Sequence, residues 1–169
     1  MRFSTLLLLG ALSTSMAAFG ADTISAKEFV KKAGESGVAE VELGKLGAQK
    51  ATDPDVKAFA QKMVTDHSKA NKELMTVASG KGLEVPTEPG MMQKATMEKF
   101  KHHSADSDFN KDYMKHMVKD HETDVKLFQT AANDTTLDPQ LRTFAKKTLP
   151  TLQEHLSDAQ QIDAKLGKM

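Results

Sequence analysis

The sequence predicts an all-α protein, a four-helix bundle of two antiparallel hairpins joined by a long crossover containing a short helix. Three observations predict it. Apolar residues recur at alternating spacings of four and three over long windows, and no window alternates apolar and polar residues long enough for a strand. Two distant stretches, "DPDVKAFA" (53–60) and "DPQLRTFA" (138–145), open alike, which points to a repeated hairpin. Short connections, "ATDP" and "NDTTLDP", close each hairpin, whereas a long stretch with several Gly and Pro residues separates the two.

The elements follow in order. Residues 1–20 read as a signal peptide, with Arg2 at the start, an apolar run from Leu6 to Leu12, and Ala18 and Gly20 at the positions a signal peptidase recognises. The run is too short for a stable membrane span. Residues 21–169 are then a single exported domain, periplasmic in a Gram-negative cell. The first helix is expected over 25–50. The second, 54–80, starts with Asp53 as N-cap and Pro54 as first helical residue, where a missing N–H costs nothing. Its apolar seam is Val56, Ala60, Met63, His67, Ala70, Leu74 and Val77. Gly and Pro end it, and a short helix is expected over 89–103. The third long helix, 107–132, is capped near Ser107 or Asp108. The fourth, 139–166, repeats the Asp-Pro start and carries Leu141, Ala145, Thr148, Leu152, His155, Ala159, Ile162 and Leu166 inward. Pro150 should kink it. A second helix of about 40 Å must be retraced by the connector, and extended chain plus one short helix can do so. This is the topology of ferritin-like bundles.

Charge and composition exclude several functions. Lys plus Arg and Asp plus Glu both number 23, and the signal removes only Arg2, so no basic face for nucleic acid or anionic lipid arises. Cysteine is absent, which excludes a lipoprotein anchor, a disulfide and covalent haem. Beyond the leader no segment spans a membrane. No nucleophile elbow, P-loop or dinucleotide fingerprint is present, so the chain reads as non-enzymatic.

The chemistry lies in three acid–histidine pairs: Asp66-His67 in "MVTDH", Asp120-His121 in "MVKDH" and Glu154-His155 in "TLQEHL". Each seam turns the histidine inward and leaves the acid at its flank. In the first helix the matching position is Glu40, after Val30, Ala33 and Gly37. Glu40, His67, His121 and His155 each lie 13 to 16 residues after their helix starts. That is about 20–24 Å along the axis, near the midpoint of every helix, and midpoints meet whichever way helices run. Two readings stand. In one, Glu40, His67, His121 and His155 hold one divalent transition metal (Zn²⁺, Cu²⁺ or similar), with Asp66, Asp120 and Glu154 orienting the ligands from behind. Metal buffering or envelope stress protection would be its use, and the ion should leave as pH falls through about 6. In the other, the cluster is a hydrogen-bonded core network of a metal-free periplasmic protein that acts by contacting another protein or the cell envelope.

"EVELGKLGAQKATDPDVKAFAQKMVTDHSKANKEL", "DFNKDYMKHMVKDHETDVKLF" and "FAKKTLPTLQEHLSDAQ" together resemble the exported bacterial family catalogued as domain of unknown function 4142, placed among ferritin-like proteins. The resemblance implies a four-helix bundle and export, with no established reaction. The family's usual Phe-Asp is here Phe109-Asn110. A di-iron centre needs Glu-x-x-His on two helices, but Val64, Val118 and Leu152 stand three residues before the histidines. Met63 and Met117, one turn before His67 and His121, read as core filling. His102-His103 reads as a solvated helix end, and His116 as part of an exposed charge row with Asp112 and Asp120.

Overall fold

Helix starts expose four N–H groups, and side chains at the starts of four of the five helices accept from them. Ser25 caps α1 (Ala26–Lys50) through Glu28 N, and Asp53 caps α2 (Pro54–Ser79) through Asp55 N and Val56 N. Asp138 does the same for α5 (Pro139–Leu166) through Gln140 N and Leu141 N. For α4 (Ser107–Asn133) the cap is Asp106, which accepts from Phe109 N at 2.9 Å, rather than the expected Ser107 or Asp108. Asp106 holds the extended backbone a cap requires, and the two expected residues already lie in the first turn. The short α3 (Met91–His102) has no side-chain cap at its start, but Lys50 closes its other end. Lys50 Nζ donates to the carbonyls of Phe100 (3.0 Å), His103 (2.7 Å) and Lys101, where the helix dipole favours a cation.

These features belong to a computed structural model that describes residues 22–168; the expected signal peptide lies outside them. Among the described residues there is no strand. Pro150 sits on the exposed side of α5, and the helix continues through it.

Hydrogen bonds between elements fix their directions. The backbone N–H of Ile24 reaches Asp134 at one end of α1, and that of Thr52 reaches Asn110 at the other, so α1 and α4 are antiparallel neighbours. Lys81–Asp138 and Lys62–Asp158 make α2 and α5 antiparallel in the same way. α1 also packs along α2, and α4 along α5. α2 and α4 therefore run in the same sense, and residues 80–106 return along the bundle with α3 against α1. Asn110 is suited to its position because it both accepts from Thr52 N and donates to Thr52 Oγ1, which an ionised Asp could not do.

The core has two apolar halves. Phe29, Leu74, Phe128, Leu141, Phe144 and Leu152 belong to one. Leu43, Phe59, Met63, Phe109, Tyr113 and Met117 belong to the other. On each long helix the change of half falls at Glu40, His67, His121 or His155. Met63 and Met117 are fully buried core filling.

Close approach of α1 to α2 needs a glycine. A Cβ added at Gly44 would stand 2.9 Å from the Ala60 carbonyl oxygen and 2.9 Å from Val64 Cγ2. At Gly37 it would meet the amide end of Asn71, which can swing aside. Gly44→Ala should therefore cost about 1–3 kcal/mol through overpacking, although alanine gains about 1 kcal/mol of helix propensity. Gly37→Ala should cost less, and urea midpoints of the two variants compare them directly.

Candidate metal centre

Each of the four long helices delivers one polar side chain to the layer between the apolar halves. Glu40, His121 and His155 are 0% exposed and His67 is 4% exposed. One ring nitrogen from each of His67, His121 and His155 lies within 4.8 Å of those of the other two. Ring centroids are 5.3 to 5.7 Å apart, and Phe59 stands edge-on to His121 and His155 at 6.3 and 6.4 Å.

Hydrogen bonds assign two of the tautomers. His121 Nδ1 lies 2.8 Å from the Met117 carbonyl, which can only accept, so Nδ1 carries the proton and Nε2 the lone pair. His155 Nε2 lies 2.9 Å from Asp66 Oδ2, so it donates to the carboxylate and leaves Nδ1 bare. His121 Nε2, His155 Nδ1 and His67 Nε2 are all buried without a partner. Burial lowers the pKa of all three imidazoles, that of His121 to about 4, and crowding among them lowers His67 further. At neutral pH they are uncharged, the form that donates a lone pair to a metal.

Glu40 shares the layer but is not part of the compact trio. Its Oε1 is 3.9 Å from His121 Nδ1, the nitrogen engaged with Met117, and so it faces the opposite edge of that ring. Burial, then repulsion from Asp120 and Asp124, pushes its carboxyl well above the usual range. Of the three acids expected behind the ligands, only Asp66 bonds a site histidine. Asp120 is 3.9 Å from His116 Nε2 and beside Glu40. Glu154 is 63% exposed and pairs with Lys62, because the residue before an inward histidine is turned about 100° away.

Other expectations change as well. His116 is half-buried under α3, its ring 5.5 Å from that of Phe100, rather than part of an exposed row. His103 is tucked against Phe109 with Nδ1 on the Ser104 carbonyl, while His102 is solvated as expected. Asp124 lies in the same helical register as His121 and Phe128. It is buried, its Oδ2 accepts from Ser36 Oγ at 2.7 Å, and burial followed by the Asp120 charge raises its pKa to about 7. An acid in an apolar register was the available signal.

Every buried side-chain nitrogen or oxygen without a partner among the described residues belongs to Glu40, His67, Tyr113, His116, Asp120, His121 or His155. Native proteins pair most such atoms, so this concentration marks a site. Each orphan costs about 1–3 kcal/mol, a large charge against a domain stability of about 5–15 kcal/mol. Three convergent neutral imidazoles with open lone pairs fit a divalent transition ion.

The Asp124 shift has a sign that can be measured. Between about pH 4 and about pH 7 the native carboxyl keeps its proton while the unfolded one has lost it. The native state binds more protons there, so this group's contribution to stability falls as pH rises. Asp124→Asn keeps the acceptor for Ser36 and removes the titration. In metal-free protein, its stability relative to wild type should increase from pH 4 to pH 7, as read from urea midpoints.

Comparison with known proteins was consistent with this architecture. No curated protein matches the chain. A solved structure that does is the crystal structure of a DUF305 protein from Streptomyces coelicolor, described as a candidate secreted protein. It matches with a TM-score of 0.66 at 15% identity, over 85% of this chain and 94% of that one, a likeness that shows the fold alone. The sequence profile of the family described as "Domain of unknown function (DUF4142)" matches residues 11–162, and the chain belongs to that family.

Proposed function

We propose that this protein is an exported, non-enzymatic metal-binding protein of the periplasm, whose bundle holds one divalent transition ion on His67, His121 and His155. The observation that carries this reading is the buried trio itself: one ring nitrogen of each histidine lies within 4.8 Å of those of the other two, and each ring keeps one buried nitrogen without a hydrogen-bond partner. A core hydrogen-bond network would pair these atoms with each other or with Glu40, yet each is without a partner. Asp66 and the Met117 carbonyl hold the outer nitrogens of His155 and His121, a support that fixes the ring and raises ligand basicity. Glu40, its carboxyl pushed up by burial and turned to the other edge of His121, is a neighbour of the ion rather than a ligand.

Beside the trio, His67 borders a cavity of about 20 Å³ that neither His121 nor His155 lines, with room for roughly one water. Metal buffering or envelope protection is the use that this reading gives the buried trio.

Melting curves with and without Zn²⁺, Cu²⁺ and Mn²⁺ test the proposal. A ligand that binds only the folded state raises the melting temperature by mass action. Wild type should show that rise with at least one metal, and His67→Ala and His155→Ala should each erase it. If the histidines served only as core polar groups, both variants would lose about 1–3 kcal/mol whether metal was present or not. A wild-type curve unmoved by every metal would overturn the metal reading. Because burial holds the imidazoles neutral, to about pH 4 for His121, the ion should survive pH 6 and leave at lower pH than ordinary histidines would allow.

A further inference from the structure

A buried ion needs a way in, and the structure contains one candidate route. Between α1 and α4 lies a cleft of about 450 Å³, walled by Ser36, Asp120, Thr123 and Asp124, with Gln93 of α3 among its lining residues. Inside the bundle lies the smaller cavity of about 20 Å³, bordered by Gly37, His67 and Asn71. One residue lines both spaces: Asp124. Its carboxylate is held by the Ser36 hydroxyl at 2.7 Å, and the side chain is 5% exposed.

The geometry points to Asp124 as the gate through which a divalent cation passes from the α1/α4 cleft to the histidine trio, with Asp120 drawing the cation into the cleft. This rests on the metal reading above and deepens it by assigning the path and the residue that controls it. A carboxylate at a partly desolvated constriction offers a cation transient ligation in place of the water it sheds. Glu28, Glu35, Asp120 and Asp124 outnumber Lys32 and Lys126 among the residues lining the cleft, and a net acidic cleft concentrates cations at its mouth.

A gate and a ligand differ in what their loss does. A group met only in passage changes the barrier, so entry and exit slow by the same factor and Kd is untouched. A ligand changes the bound state, so Kd weakens. Zn²⁺ uptake by the full mature protein and its removal by a chromophoric chelator can be followed by stopped flow at mildly alkaline pH, above the value of about 7 to which burial raises Asp124. For Asp124→Asn, uptake and release should both slow on the order of tenfold with Kd unchanged. Asp120→Asn should slow uptake in the same direction, and it carries the test if Asp124→Asn fails to fold by circular dichroism. Uptake at the wild-type rate in the tested variant would overturn the gate, and so would a weakened Kd with faster release. Wild-type protein that takes up no Zn²⁺ or other divalent metal would instead overturn the metal reading itself, so the two failures are distinguishable.

Discussion

Removing an imidazole or a carboxyl from water is costly, and this bundle does so several times in one layer. Glu40, His67, His121 and His155 are fully or almost fully buried, and the apolar core divides into two halves on either side of them. Much of the local chemistry answers that cost. The histidines give up their charge, Glu40 and Asp124 hold protons more tightly, and the available hydrogen bonds go to the outer atoms. What is left uncompensated is a set of inward lone pairs on the three imidazoles. Neutral donors facing one another have little to offer each other and much to offer a cation.

The two assigned rings are held by different means. His155 leans on a carboxylate from a neighbouring helix, Asp66, which couples the α2–α5 contact to the orientation of the ring. His121 leans on a carbonyl of its own helix, one turn back at Met117, and its orientation depends only on α4 remaining helical. Bonds at the bundle's ends, Ile24 to Asp134 and Thr52 to Asn110, set the α1–α4 register that brings Ser36 to Asp124. A small registry change would separate that pair before it disturbed the apolar halves, which tolerate sliding better than a directional hydrogen bond does.

The acids divide into two groups according to the water they see. Glu154 and Asp158 stay at the surface with Lys62 and behave as ordinary solvated partners. Asp120 and Asp124 line the α1/α4 cleft and Glu40 lies deeper, and burial raises the pKa of both Asp124 and Glu40. The likeness to the DUF305 structure concerns the helical scaffold, on which such sites are placed, and not the site.

The sequence by itself determined the long helices, the caps of α2 and α5, and the layer. Asp53-Pro54 and Asp138-Pro139 mark starts by local chemistry, and the 3.6-residue period turns His67, His121 and His155 inward at matching depth. Both signals are local and need no knowledge of a neighbour. Tertiary structure alone decided which inward groups share a centre. Glu40 has the right depth, but the packing of α1 against α4 places it on the far edge of His121, where burial and the neighbouring acids raise its pKa. Glu154 and Asp66 precede their histidines identically, yet only Asp66 faces a ring, and that ring belongs to another helix. Asp124, an acid in an apolar register, acquires a reason only in the folded bundle, where it lines both the cleft and the inner cavity. Helix periodicity fixes the direction of a side chain relative to its own axis. The rotation and offset between axes, set by packing at places such as Gly44, fix what that side chain meets.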